Sequence, residues 1–172
     1  RIDFGGDQKI TVSPITISAE MSDKFKNHLL LFFTDFSRKA SKIEADKLKN
    51  FKNRGNELRA MVAMVQDGVD VFTSNRDLND FGKLLNEAWK LKRSLSPVVS
   101  TDKIDNIYQT GIKAGAIGGK LLGAGGGGFM LFFAPPERHK KIKEKLKKFL
   151  NVPFGFEYSG SQIIYYSPPQ NL

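Results

Sequence analysis

The sequence predicts an α+β fold in which helices pack on one face of a mostly antiparallel β-sheet. Three observations lead to this prediction. Short apolar runs of strand length occur beside longer segments in which apolar residues recur with helical spacing. Glycine and proline separate these segments and mark turns. The 172 residues, 40% of them hydrophobic and 26% charged, suffice for one domain with a substantial core.

The first third of the chain combines strands with a polar helix. Residues 1–4 and 9–17 flank a glycine-containing turn, a pattern typical of a β-hairpin. Residues 28–34 form a continuous apolar run, which predicts a strand buried on both faces. Residues 35–53 are polar and predicted to be helical, with Ser37 as a candidate N-cap.

Three helices are predicted in the middle of the chain, over residues 57–73, 77–95 and 101–114. In each segment the apolar side chains recur at helical spacing and gather on one side. Ser100 or Thr101 is the candidate N-cap of the third helix, because a hydroxyl there can accept a hydrogen bond from the first helical turn.

The carboxyl-terminal part is predicted to return to strands. Residues 120–122 and 129–133 are short apolar runs that indicate buried strands. A proline pair then begins an amphipathic helix over residues 137–150, and residues 154–158 and 162–167 are predicted strands. The last five residues are expected to be loose. The apolar stripe of the helix comprises Ile142, Leu146, Phe149 and Leu150.

Residues 123–128, Gly-Ala-Gly-Gly-Gly-Gly, are the most informative segment. Glycine is costly between two strands unless the backbone needs positive φ or another group must approach the main chain closely. A loop of bare N–H groups also suits an anion, and phosphate is the first ligand to consider. Tight packing is the alternative. The segment is not a Walker A loop, because no Gly-Lys-Ser/Thr follows the glycines, and a strand follows where a dinucleotide-binding loop needs a helix.

Composition excludes several classes of site. Cysteine is absent, so disulfides and thiolate metal sites are excluded. Only two histidines, His28 and His139, are present, so no metal centre is expected. No apolar stretch reaches the length of a membrane span, and no signal peptide is visible, so we expect a cytoplasmic protein that does not contact a membrane. The chain opens on Arg1 within an apparent strand, which suggests part of a longer protein.

The net charge of +9 raises the question of nucleic-acid binding. Much of this charge is carried by lysines of the helix predicted at residues 137–150. A solvated helix face is the favoured interpretation, and contact with a phosphate backbone is the alternative. No aromatic or arginine side chain interleaves with the lysines to contact bases, so nucleic acid is an improbable partner.

Residues 113–129, Lys-Ala-Gly-Ala-Ile-Gly-Gly-Lys-Leu-Leu-Gly-Ala-Gly-Gly-Gly-Gly-Phe, resemble the third conserved motif of the GHMP kinases. The members of that superfamily end in a domain with a split β-α-β, ferredoxin-like sheet. The resemblance therefore implies that residues 21–172 form a GHMP kinase C-terminal domain. Residues 1–20 would be the end of the amino-terminal domain or a linking hairpin.

A second stretch, residues 87–97 with Ser37-Arg38 upstream, resembles the D-glycero-D-manno-heptose 7-phosphate kinases. Those enzymes phosphorylate the anomeric position of a sugar phosphate on the route to nucleotide-activated heptose, which feeds bacterial surface polysaccharide. The resemblance implies the carboxyl-terminal half of such a kinase. The alternatives are another GHMP sugar kinase such as a fucokinase, a non-catalytic sugar-phosphate-binding module, and a basic nucleic-acid-binding domain.

The resemblance also implies which residues form the site. The glycine loop would line the active-site cleft, with closest approach at Gly125, Gly126 and Gly127. Lys120 could point at the cleft or at solvent. The residues predicted for this loop site are Lys120, Gly123, Ala124, Gly125, Gly126, Gly127 and Gly128.

A separate cationic pocket is expected for the sugar phosphate. Asn86, Lys90 and Arg93 form one polar stripe of a predicted helix, opposite its leucine face, and Lys92 flanks the apolar face. The guanidinium of Arg93 could hold a phosphate with its planar fork. An ordinary solvated stripe is the alternative. Trp89 is predicted to serve packing and not sugar stacking.

The ATP-binding loop and catalytic aspartate of the family lie in an amino-terminal half that this sequence does not match. We therefore assign no catalytic residue here and expect ATP and Mg²⁺ to be bound mainly by that half. The pair Asp7-Gln8 resembles an active-site pair of the heptose kinases but lies in a Gly-Gly hairpin, where an exposed turn is favoured. Sugar phosphate and ATP are the expected small-molecule partners, and an oligomer is possible.

Overall fold

The computed structural model describes residues 1–6, 9–35, 54–74 and 76–166. A short 3-10 turn at Pro136–Arg138 precedes the last helix. The helices and strands are, in chain order, β1 (Ile2–Phe4), β2 (Ile10–Val12), α1 (Ala19–Asn27), β3 (Leu29–Phe33), α2 (Gly55–Thr73), α3 (Asn79–Ser94), α4 (Asp102–Ala114), β4 (Gly118–Leu121), β5 (Phe129–Phe133), α5 (His139–Lys145) and β6 (Leu150–Asn151).

Strands β3 to β6 form a four-stranded sheet in the order β4-β5-β3-β6, and every neighbouring pair is antiparallel. The chain leaves the inner strand β3, crosses through helices to the edge strand β4, returns through the glycine loop to β5, and reaches the other edge, β6, after α5. This is the order of a split β-α-β, ferredoxin-like sheet. Strands β1 and β2 form a separate antiparallel pair. The predicted α+β class is confirmed.

One part of the fold prediction needs correction, because helices contribute to both faces of the sheet. Successive residues of a strand point to opposite faces, and Leu29 and Leu30 belong to different apolar clusters. The cluster with Leu30 includes buried residues of α4 and α5, such as Ile104 and Ile142. The cluster with Leu29 includes Val71 of α2 and residues of α3, with side chains of α1 packed against it.

Local sequence accounts for the ends of several helices. Thr101 caps α4, since its hydroxyl accepts a hydrogen bond from the N–H of Ile104 at 3.3 Å, and Gly115 ends that helix with φ of 118°. Helix α1 was not predicted, because this short segment is mostly polar. Its N-cap is Ser18, whose hydroxyl accepts from the N–H of Met21 at 3.0 Å.

Several predicted elements are shorter than expected or absent. The strand predicted over 9–17 is limited to β2, and the helix predicted over 137–150 is limited to α5. Leu150 does not complete the apolar stripe, because it lies in β6 with 67% of its surface exposed. Residues 154–158 and 162–166 are not strands. An apolar pattern makes a strand only where a neighbouring strand accepts its hydrogen bonds.

Some predictions fall outside the described residues. These are the exposed turn at Asp7-Gln8, almost all of the helix predicted over 35–53 with its N-cap Ser37, and the chain end from Ser167 onward.

Candidate active site

The loop between β4 and β5 has a backbone that ordinary residues avoid. The φ angles of Gly123, Gly125, Gly126 and Gly128 are 71°, 122°, 73° and 106°. Side chains of L-residues make these conformations unfavourable, whereas glycine adopts them readily. The glycines therefore meet a conformational need of the tight connection between two antiparallel strands.

Two of the glycines also permit close packing. A Cβ atom on Gly125 would lie 2.8 Å from the carbonyl oxygen of Val99, and the N–H of Gly126 donates to that oxygen at 2.9 Å. Both glycines are buried. The middle of the loop is thus held against the main chain of the α3–α4 connection, as the packing alternative requires.

The far end of the loop is held by a residue that directly follows another strand. Thr34, which follows β3 and is fully buried, donates from its hydroxyl to the carbonyl of Gly128 at 2.8 Å. The N–H of Gly128 donates back to the same hydroxyl at 3.1 Å, and the N–H of Thr34 donates to the Gly128 carbonyl at 2.8 Å. These three bonds join residues that are 94 positions apart in the sequence.

Three of the four remaining amides of the loop are accessible donors, whereas the fourth, on Gly125, is buried. Within the part of the chain that the structure describes, the N–H groups of Gly123, Ala124, Gly125 and Gly127 have no hydrogen-bond partner. Gly123 is exposed, and Ala124 and Gly127 are half-buried. The loop therefore combines a rigidly held backbone with open donors, the arrangement that suits phosphate oxygens.

Lys92 is buried against this loop and does not line the cavity that contains Arg93. Its ammonium donates to the carbonyl of Leu121 at 3.4 Å and to the carbonyl of Gly123, and only 9% of the residue is exposed. Both carbonyls belong to the chain that enters the loop. The buried positive charge braces the loop and adds to the positive potential near its amides, so Lys92 is separated from the other three residues predicted to bind the sugar phosphate.

Lys90 and Arg93 share a cavity of about 430 Å³ at the start of α4. The guanidinium of Arg93 donates to Asp105 at 2.6 Å, and the Ser100 hydroxyl donates to the other carboxylate oxygen of Asp105 at 2.6 Å. Lys90 pairs with Glu87 at 2.7 Å. The cavity therefore has cationic groups whose charges are balanced by neighbouring carboxylates. Its lining is formed by Lys90, Arg93, Ser94, Ser96, Pro97, Ser100, Thr101, Asp102 and Asp105.

Asn86 does not line this cavity. Its amide oxygen accepts a hydrogen bond from the hydroxyl of Tyr108, and its amide nitrogen donates to Glu87 at 3.2 Å. Burial raises the pKa of Tyr108, which favours the protonated hydroxyl that donates to Asn86. Trp89 is fully buried in the sheet core, as predicted for a packing residue.

The loop and the cavity both contact the α3–α4 connection, although no residue of the loop lines the cavity. Val99 holds Gly125 and Gly126, while its neighbours Pro97 and Ser100 line the cavity. One short segment thus connects the glycine loop with the cavity that Lys90 and Arg93 line.

Lys120 occupies neither of the two positions predicted for it, the active-site cleft and the solvent. It lies on β4 and lines an apolar groove between α2 and α3. Burial lowers the pKa of Lys120, because the charged form loses contact with water. The groove is formed mainly by aliphatic and methionine side chains, so this lysine does not join the cavity that contains Arg93.

Several site residues were not predicted from the sequence. Thr34 carried a usable signal, since it is a polar residue directly after a buried apolar run. Asp105 and Tyr108 lie on the predicted third helix, but nothing local shows that they face α3. Val99 acts through its main chain, and an apolar side chain gives no indication of that role.

The described residues contain no group of three or more histidine or acidic side chains placed to bind a metal ion. Among the helices that the structure describes, none has both the length and the apolar character needed to span a bilayer.

Residues 60–152 match the family model described as GHMP kinases C terminal, which covers more than half of the chain. The chain belongs to the GHMP kinase family. This GHMP kinase domain is 31% identical over 149 residues to the D-glycero-alpha-D-manno-heptose 7-phosphate kinase of Campylobacter jejuni, a match that covers 86% of this chain and 44% of the relative. Both resemblances stated from the sequence are thus confirmed.

Two further comparisons show the breadth of the family. The chain is 26% identical over 149 residues to the bifunctional fucokinase/GDP-fucose pyrophosphorylase of Arabidopsis thaliana, with 84% of this chain and 14% of the relative covered. L. major mevalonate kinase in complex with R-mevalonate shares the fold, with a TM-score of 0.67, 21% identity, and 85% of this chain and 46% of that chain covered. The chain spans less than half the length of each of these proteins.

Proposed function

We propose that this GHMP kinase domain is the carboxyl-terminal part of an ATP-dependent sugar-phosphate kinase that phosphorylates the anomeric hydroxyl of D-glycero-D-manno-heptose 7-phosphate. The observation that supports it is the glycine loop with its open amides, which packs against the same α3–α4 connection that helps to line a cavity with two cationic side chains. To catalyse phosphoryl transfer, a protein must mainly position the reactants and provide a positive potential around the transferred group. This arrangement can supply both.

The residues would have separate roles. The N–H groups of Gly123, Ala124 and Gly127 would donate to phosphate oxygens, and Lys92 would hold the loop in position through its hydrogen bonds to Leu121 and Gly123. Arg93 and Lys90 would hold the phosphate of the sugar. Arg93 would then exchange part of its pairing with Asp105 for the ligand, which is possible because 36% of the Arg93 side chain and 33% of the Asp105 side chain are exposed.

The rest of the catalytic residues would lie in a part of the protein outside these 172 residues. The Campylobacter jejuni relative is more than twice as long as the matched segment, since the match covers 44% of that relative. We propose that ATP is bound mainly by that further part, with the loop amides contributing donors, and that Mg²⁺ accompanies the nucleotide. Residues 1–20 would then link the two parts, with the C-terminal domain over 21–172.

The choice of heptose rests on the Campylobacter jejuni relative, which is a D-glycero-alpha-D-manno-heptose 7-phosphate kinase. The proposed reaction would serve nucleotide-heptose and lipopolysaccharide biosynthesis in the cytoplasm. The Arabidopsis thaliana relative supports a second candidate, a fucokinase-type reaction on an unphosphorylated sugar.

A coupled kinase assay on the whole protein would separate these candidates. We expect turnover with heptose 7-phosphate and little with fucose or unphosphorylated heptose. Replacing Arg93 by Met should raise the KM for the sugar phosphate at least tenfold and leave the KM for ATP nearly unchanged. The control is Lys140→Met on α5, outside the cavity, which should change neither value.

Three outcomes would contradict the proposal. A preference for fucose would favour the fucokinase candidate. Heat of binding with heptose 7-phosphate but no turnover by the whole protein would indicate a non-catalytic binding module. An unchanged sugar-phosphate KM in Arg93→Met would exclude the cavity as the sugar-phosphate site.

A further inference from the structure

An apolar recess lies between α2 and α3, and it shares no lining residue with the cavity that contains Arg93. Its volume is about 320 Å³, within the range of small-molecule sites. Met61, Met64 and Val65 line it from α2, and Leu84 and Ala88 line it from α3. We call this recess the methionine groove.

Lys120 is the charged residue in the lining of the methionine groove. Within the described parts of the chain, its ammonium has neither a hydrogen-bond acceptor nor a carboxylate within ion-pair distance. Burial lowers its pKa, and no opposing charge contributes to that shift. A partly buried cation without a counter-charge is unfavourable, because the surrounding side chains cannot replace its hydration.

The rest of the groove suits a flexible apolar ligand. Methionine side chains adapt to irregular ligand shapes, and two of them line this groove side by side on α2. The groove is open to solvent along α2, where Val65 is 47% exposed. A ligand that fills the groove would bury apolar surface and would bring its own charge to Lys120.

We propose that the methionine groove binds an amphipathic anion, whose single carboxylate or phosphate head contacts the ammonium of Lys120 and whose apolar chain lies against Met61 and Met64. The charge of Lys120 selects an anionic head, and the uncharged walls select a chain without further polar groups. Because Lys120 lies on β4, three positions before the glycine loop, a ligand here would contact the strand that leads into the loop. The proposal does not depend on the kinase reaction, since it concerns binding alone.

Methionine-methyl NMR provides a direct test, because the sequence has four methionines. The probes are decanoate, decyl phosphate and decanol, added below their micelle-forming concentrations to the protein labelled with ¹³C-methyl methionine. We expect the signals of Met61 and Met64 to move with decanoate or decyl phosphate. Met130, which is fully buried in the sheet, and Met21, which lies in α1, should not move. The two anions distinguish a carboxylate head from a phosphate head.

Variants then test the charge and the groove separately. Lys120→Met should weaken binding of the preferred anion at least tenfold and leave the weak binding of decanol in place, whereas Lys120→Arg should retain anion binding. Lys140→Met serves as a charge-matched control and should bind like the wild type. Ala88→Met, which fills the groove without changing charge, should weaken all three probes.

Each opposite result would overturn the proposal. Equal affinity for decanol and for both anions would show that Lys120 selects nothing. Unchanged anion binding in Lys120→Met or Ala88→Met would place the ligand elsewhere, and so would a shift confined to Met21. Absence of any shift of Met61 and Met64 would show that the groove is closed to such ligands.

Discussion

At the scale of the residue, the glycines between β4 and β5 serve different purposes. Gly123 and Gly125 both have positive φ, but their surroundings differ. A Cβ atom on Gly123 would meet nothing within 4 Å, whereas a Cβ atom on Gly125 would overlap the main chain of Val99. Gly123 is needed only for its backbone conformation. Gly125 is needed for its backbone conformation and also because a side chain there would overlap Val99.

This difference predicts unequal costs for the same substitution. Gly123→Ala should lower the free energy of unfolding by about 1 kcal/mol, the cost of a left-handed conformation for an L-residue. Gly125→Ala should lower it by about 2–4 kcal/mol, because backbone strain and overlap with Val99 add. Urea unfolding followed by circular dichroism measures both. Equal losses would mean that the contact with Val99 is not important for stability.

The two lysines two residues apart on α3 offer a second comparison. Lys92 is buried and donates to two carbonyls of the strand and loop, while the exposed Lys90 pairs with Glu87. Lys92→Met should lower the free energy of unfolding by about 1.5–3 kcal/mol, since charged hydrogen bonds are lost. Lys90→Met should change it by less than about 0.5 kcal/mol. Urea unfolding would refute the bracing role of Lys92 if the order were reversed.

At the scale of the element, close contact between helix and sheet depends on individual glycines. On α4, a Cβ atom at Gly111 would lie 2.3 Å from the ring of Phe132 on β5. On α2, a Cβ atom at Gly68 would lie 3.6 Å from Leu84, an ordinary contact. Both glycines lie inside helices, where alanine is intrinsically the better residue.

The same Gly-to-Ala change should therefore have opposite effects on the two helices. Gly68→Ala should stabilise the protein by about 0.5–1 kcal/mol through helix propensity. Gly111→Ala should destabilise it by about 1–3 kcal/mol, because Phe132 is fully buried and has no room to move. Thermal unfolding of the two variants tests this, and stabilisation by Gly111→Ala would show that α4 can move away from the sheet.

At the scale of the whole molecule, the sheet connects two apolar clusters. Phe132 and Phe133 are neighbours on β5 but belong to different clusters, one on each face. Trp89, the single tryptophan, lies in the cluster with Phe132. Its fluorescence therefore reports on one face of the sheet while a substitution can be made on the other.

Phe133→Ala should destabilise both faces together. The loss should be about 3–5 kcal/mol, because a fully buried aromatic ring is removed. If the clusters form one cooperative unit, the unfolding midpoint by Trp89 fluorescence should fall as far as the midpoint by circular dichroism. Two separate midpoints would show that the two faces unfold independently.

Local sequence was sufficient to predict the class of the fold, the strand β5, the helices α2 to α4 to within two residues at each end, and the position of the glycine loop. These features follow from local periodicity and from glycine, which a short window of residues contains. The resemblance to the GHMP kinases depends on the same short motifs, which is why it was also visible from the sequence.

Which of the predicted site residues contact one another became clear from the packing of distant segments. Lys92 and Arg93 are adjacent in sequence, yet one supports the glycine loop and the other pairs with Asp105. Gly128 is held by Thr34, a residue 94 positions away, and Lys120 lies in a groove made by two other elements. The direction of a side chain and its partner depend on how distant segments pack, and periodicity along the chain does not contain that information.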